Sequence, residues 1–116
     1  MIQVSPTTRI FIHLSPIDFR KGIDGLAALC RQAFDQEPAS GALFLFRGRK
    51  NTALKLLIYD GQGYWMLQKR LSQGTFKSWP KDQQQANSLS MYELYVLLGN
   101  GDPSRASIAQ NWRQLS

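Results

Sequence analysis

The sequence predicts an α+β fold: an antiparallel sheet of four to five strands packed against one main helix, with C-terminal helices behind it. Three observations point there. Residues 42–71 hold three closely spaced runs of aliphatic and aromatic residues separated by Gly-, Asn- and Asp-containing turns. A stretch ahead of them, Leu26, Leu29, Cys30, Ala33 and Phe34, repeats its apolar residues at helical spacing. A third region, MYELYVLL, follows Ser88 and Ser90 and ends at Gly99, the punctuation of a capped helix.

Taken in order, RIFIHL reads as a first strand near 9–14. Ser15, Pro16 and Asp18 then suit a helical turn. The main helix is expected over about 22–35, with Asp24 in its first turn where the helix dipole favours an acid. Pro38 and Gly41 stop it. A meander follows over 42–79: ALFLFR, ALKLLIYD, YWMLQKRL and, up to Pro80, TFKSW. DQQQANS reads as a surface loop. One α+β domain is therefore expected over 1–100. Residues 101–116 form a C-terminal tail with the spacing of a short helix, Ile108, Trp112 and Leu115 sharing one side.

Hairpin closure predicts the faces. With Gly48–Thr52 as the first loop, Arg47 faces Ala53, Phe46 faces Leu54 and Phe44 faces Leu56. With Gly61-Gln62 as the next turn, Leu56 faces Leu67 and Ile58 faces Trp65. One face then gathers Phe44, Phe46, Leu54, Leu56, Ile58, Trp65 and Leu67 under the main helix. The other gathers Leu43, Leu45, Arg47, Lys55, Leu57, Tyr59, Tyr64, Met66, Gln68 and Arg70. With a four-residue turn at 72–75, Phe76 of the fourth strand joins the core, Lys77 lies opposite Arg70 and Trp79 opposite Gln68; a slip of one residue there would set Lys77 opposite Lys69 instead.

The chain has 116 residues and a formal charge of +6, a size and charge ordinary for one small domain. The distribution says more. Between Arg47 and Lys81 lie eight cations and one acid, Asp60, so this third of the chain carries +7 and the remainder −1. Segregated charge of this kind is the footprint of a surface for polyanions. The candidate DNA-contacting residues are Arg47, Arg49, Lys50, Lys55, Lys69, Arg70 and Lys77, with Arg20 and Lys21 beside them. Tyr59, Tyr64, Met66 and Trp79 are the candidates for docking a protein partner.

Catalytic signatures are missing. His13 is the sole histidine and falls inside a strand, Cys30 sits on the apolar stripe of the helix, and together they cannot make a zinc site. The carboxylates Asp18, Asp24 and Asp60 suit helix starts and turns. The glycines form no phosphate-cradling loop. The expectation is a protein without catalytic residues, metal or cofactor. With one cysteine, no secretory leader and no apolar run long enough for a membrane span, it is expected in the cytoplasm.

FRKGIDGLAAL (19–29), GALFLFRGRKNTALKLLIYDGQGYWMLQKRL (41–71) and GTFKSWP (74–80) carry a further signal. These spaced motifs, in this order over Ile10 to Leu98, resemble the second-open-reading-frame accessory protein of the bacterial insertion-sequence-sixty-six transposons. The resemblance implies a part in transposition. Such elements encode the small protein beside a second accessory protein and a larger transposase that carries the acidic catalytic residues. The resemblance therefore implies an accessory factor with the transposase and the second accessory protein as its expected partners, and the segregated charge adds element-end DNA to them. Docking to those proteins without DNA contact is the alternative.

Overall fold

The structure is a computed structural model describing residues 4–102. The expected tail helix, with Ile108, Trp112 and Leu115, lies outside the described residues. Within them the order is β1 (Ile10–Ile12), α1 (Ile23–Phe34), a 3₁₀ turn (Pro38–Ser40), β2 (Leu43–Arg47), β3 (Ala53–Tyr59), β4 (Tyr64–Arg70), α2 (Gln83–Asn87) and α3 (Met91–Leu98). The α+β class, the main helix and the three long strands stand as expected.

The four strands form one sheet in the order β1-β2-β3-β4. β1 runs parallel to β2, joined through α1 as a crossover, whereas β2-β3 and β3-β4 are antiparallel hairpins. The sheet is therefore mixed, not antiparallel throughout. A parallel neighbour needs a long connection, and α1 supplies it.

The two hairpins differ in how well the sequence predicted them. β3-β4 has the expected register, Leu56 opposite Leu67 and Ile58 opposite Trp65. β2-β3 is displaced by one: Arg47 faces Leu54, Phe46 faces Lys55 and Phe44 faces Leu57. The cause is in the loop. Gly48 N–H donates to the Ala53 carbonyl at 3.1 Å, so Gly48 continues the ladder and the loop shortens to Arg49–Thr52. Asn51 adopts a positive φ of 57° there, a conformation Asn tolerates better than most residues.

A slip of one residue leaves Phe44 and Phe46 of β2 under α1, as expected, and exchanges the faces of β3 and β4. Phe44, Phe46 and Leu57 lie under α1 with Leu26, Ala27 and Cys30. Leu43, Leu45, Leu54 and Ile58 lie on the opposite face, with Leu94, Leu97, Met91 and Ala86 of the C-terminal helices. The sheet thus carries two cores, one under α1 and one under the C-terminal helices. Trp65 and Leu67, expected inside, are each 44% exposed on β4. β4 ends the sheet, so its side chains have a neighbouring strand on one side only.

Three further expectations change. TFKSW is not a strand: Phe76 N–H donates to the Asn51 carbonyl at 2.7 Å, and Trp79 Nε1–H donates to the His13 carbonyl at 3.0 Å. The segment drops across the α3 side of the sheet because its two buried aromatics, Phe76 and Trp79, belong to that core. Lys77 and Trp79 therefore do not pair with Arg70 and Gln68. DQQQANS contains α2, capped by the Asp82 carboxylate on the Gln85 N–H. The segment around Asp18 is not helical; Ile17 bridges Gly48 in parallel, prolonging β2. α3 matches its expected start, with a capping box between Ser90 and Glu93.

Candidate nucleic-acid interface

The β2-β3 loop is where the charge gathers, and its shape follows from side-chain hydrogen bonds. Arg47 donates from Nη1 to Asn51 Oδ1 at 2.8 Å and from Nη2 to the Leu14 carbonyl at 2.9 Å. Its guanidinium also lies over the Trp79 ring, 5.6 Å from the centroid. Asn51 is bound three ways, through its side chain, its N–H to Gly48 and its carbonyl from Phe76. The loop that carries Arg49 and Lys50 is fixed from below, while both side chains face solvent.

The chain before α1 forms the second wall. Ile17 N–H donates to the Arg47 carbonyl at 2.9 Å, which lays residues 17–19 against the end of β2. Gly48 permits the approach: a Cβ there would stand 3.2 Å from the Phe19 ring. Lys55 holds the same segment down. It is 5% exposed, and its Nζ donates to the carbonyls of Phe19 and Lys21, both at 2.7 Å, 4.4 Å from the Phe19 ring centroid. Burial pushes the pKa of Lys55 down, with Asp18 acting against that shift. Burial also lowers Arg47, whose Nε is buried without a hydrogen-bond partner.

Between these walls lies a groove of about 300 Å³ lined by Asp18, Phe19, Arg49, Lys50, Gln68 and Arg70 among others. Arg70 and Gln68 reach it from β4, opposite Ala53 and Lys55. Arg20 and Lys21 extend outward from the Phe19 wall, both exposed. Asp18 accepts from the Arg20 N–H and from its guanidinium, the shortest contact 2.8 Å, and this hydrogen-bonded pairing holds the Asp18 carboxyl well below the usual carboxylate range. Arg49 adds a weaker electrostatic contribution in the same direction.

The nine candidate cations therefore separate into three groups. Arg49, Lys50 and Arg70 line one groove, and Arg20 and Lys21 are exposed on the segment that continues from its Asp18–Phe19 wall. Arg47 and Lys55 point inward and bind backbone carbonyls. Lys69 and Lys77 lie with the C-terminal helices: Lys69 Nζ donates to the last α3 carbonyl, Leu98, at 2.6 Å, and the Lys77 N–H binds Asn100.

The partner candidates separate as well. Tyr59 and Tyr64 are partly buried and pair edge-to-face at 4.9 Å, and burial raises the Tyr64 phenol. Met66 packs with the α1 core, while Trp79 is buried in the other core.

Two contributors escaped the sequence reading. Asp18 looks like a helix cap, yet it lines the groove and orients Arg20. Trp65 and Leu67 look like core, yet they form an exposed apolar pair. Asp60 shows why the indole stays fixed: its carboxylate accepts from the Gln62 and Gly63 N–H groups and from Trp65 Nε1 at 2.8 Å. Among the described residues no helix is long and apolar enough to cross a membrane, and no three His, Cys, Asp or Glu residues group as metal ligands.

Comparison with known proteins gives the chain its relatives. The family model described as IS66 Orf2 like protein matches residues 8–107. The chain is 34% identical over 102 residues to the uncharacterized protein y4hO of Sinorhizobium fredii, covering 88% of each chain. It is 33% identical over 105 residues to the uncharacterized protein y4jC of the same organism, covering 90% of this chain and 89% of that one. No solved structure matches. The chain belongs to the IS66 Orf2-like family, whose role is that of an accessory protein associated with transposition.

Proposed function

We propose that this accessory protein binds DNA backbone through the groove between the β2-β3 loop and the Asp18–Lys21 segment. It acts in transposition by holding DNA, without catalysing a step. The observation that carries the reading is that Arg49, Lys50 and Arg70, from two different elements, line one groove with no salt bridge among the described residues. Unpaired cations at a concave surface attract phosphates and bind them without neutralising an internal partner first. Arg20 and Lys21 widen the contact. Arg47 and Lys55 act from beneath, by fixing the loop and the wall.

Element-end duplex is the expected ligand, with the transposase and the second accessory protein acting on the same DNA. Docking those proteins through Tyr59, Tyr64, Met66 and Trp79 has less support, because these side chains pack within the chain.

A gel shift comparing element-end with random duplex tests the reading, using Arg49→Ala/Lys50→Ala. Uniform weakening on both duplexes is expected for backbone contacts; loss of end preference alone would move Arg49 and Lys50 to base reading. No shift with either duplex at low salt contradicts the proposal.

A further inference from the structure

β4 leaves half of its backbone hydrogen-bonding groups on an edge that no described strand covers. Leu71 N–H donates to Thr52 and the Gly63 carbonyl accepts from Asp60, so odd-numbered residues send their backbone groups toward β3. Tyr64, Met66, Gln68 and Arg70 send theirs outward. Natural edges are blunted by shortness, charged side chains, proline or bulges; the charges of β4, Lys69 and Arg70, are confined to its last two residues. β4 has seven residues, contains no proline, and keeps unbroken register with β3 throughout. Trp65 and Leu67 stand half-exposed on its α3 face.

We propose that two copies of this chain join β4 to β4, antiparallel about a two-fold axis at Leu67, making one eight-stranded sheet. The edge is self-complementary in that register. Tyr64 faces Arg70 and Met66 faces Gln68, so the four outward-pointing residues of each copy meet one another as hydrogen-bonded pairs. Leu67 faces Leu67 and Trp65 faces Lys69 at the intervening positions, where side chains approach more closely. All seven residues are used. The antiparallel sense sends the basic ends, Lys69-Arg70, to opposite extremes, and each cation meets an aromatic ring of the other copy. Moving the axis two residues one way, to Lys69, would set Lys69 against Lys69; moving it two the other way, to Trp65, would run Leu67–Arg70 past the other copy's strand and onto its turn, so the Leu67 axis is the one that avoids the like-charge pair and uses all seven residues. An edge-to-edge contact of this kind is isologous and closes at two copies.

The axis runs perpendicular to the sheet, so both α1 faces lie on one side. The two basic grooves then share that side, giving a two-headed surface for DNA. This last consequence rests on the function proposed above; the pairing does not.

Sedimentation equilibrium on the full chain without DNA tests it. The mass is expected to rise with concentration from 13.2 kDa to twice that value. Leu67→Lys, at an exposed position, sets two ammonium groups opposite each other and is expected to weaken association at least tenfold. Gln68→Pro removes an outward N–H and takes no bond from the β3 ladder, with the same expected direction. Circular dichroism checks folding, and if Gln68→Pro disturbs the strand then Leu67→Lys decides alone. A single 13.2 kDa species at every concentration, or association that Leu67→Lys leaves intact, overturns the pairing. A dimer that binds no DNA retires the DNA reading and leaves the pairing standing.

Discussion

The flank and the tip of the β2-β3 hairpin carry the same charge and use it oppositely. On the flank, Lys55 and Arg47 turn inward and donate to the carbonyls of Phe19, Lys21 and Leu14. At the tip, Arg49 and Lys50 stand in solvent beside Arg70. A buried cation is costly unless its donors are satisfied, so the flank cations are committed to holding the chain together. Charge density along a sequence cannot distinguish the two. The observed register does: pairing Phe46 with Lys55 turns Lys55 toward the segment before α1, and the tip residues escape the ladder.

The largest expected effect breaks the flank. Lys55→Ala removes two charge-assisted hydrogen bonds to the Phe19 and Lys21 carbonyls and the packing of a buried side chain, and should cost about 3 kcal/mol of stability, read by urea unfolding. Arg49→Ala should change the same measurement by no more than about 0.5 kcal/mol, because its side chain is exposed. Equal losses at the two positions would erase the distinction. Arg47→Met keeps much of the apolar packing and loses two hydrogen bonds, one of them to the loop. It is expected to cost about 1–2 kcal/mol and to weaken DNA binding through a loosened tip, without the salt response of a phosphate contact.

The core beneath α1 offers a reactivity test of the interior side of the comparison. Burial pushes the Cys30 thiol up to about 12. In folded protein at pH 8, Cys30 should resist iodoacetamide and react only on unfolding. Rapid native-state alkylation would mean that the α1 face is not closed as described.

The smallest effect sits at the exposed end. The Asp18 carboxyl is held below its unfolded value of about 3.9. A depressed folded pKa contributes stability above the unfolded pKa, and that contribution is lost as pH falls toward the folded one. Asp18→Asn should therefore lower stability slightly at neutral pH, converge with the wild type in acid, and so flatten the acid limb below about pH 4. It should also tighten DNA binding slightly at neutral pH by releasing Arg20. An unaltered acid limb would show that the pairing contributes nothing in solution.

The sequence was most readable where local chemistry decides. The capping box at Ser90 and Glu93 marks α3, and the apolar stripe from Leu26 to Phe34 marks α1. The Asp60-Gly61-Gln62-Gly63 turn sets the β3-β4 register. It was least readable in LFLFR and ALKLLIY, which are apolar on both sides because both faces of the sheet are covered. Without alternation, one residue of loop length decides every facing, and Gly48 could be read as loop or ladder. That ambiguity hid the inward role of Lys55. The placing of the segment that carries Arg20 and Lys21 beside the groove depends on the Ile17–Gly48 bridge, a long-range contact that no local motif announces.

The most direct measurement is the salt dependence of DNA affinity for wild type, Arg49→Ala/Lys50→Ala/Arg70→Ala and Lys55→Met, by fluorescence anisotropy on one duplex. If the five groove and rim cations contact phosphates, log K should fall against log salt with a slope of about −4.5 in the wild type. The triple variant should reduce its magnitude by about 2.7, and Lys55→Met should leave it unchanged despite lower stability. A triple variant that keeps the wild-type slope, or a Lys55→Met slope that falls by as much, contradicts the division between binding tip and structural flank.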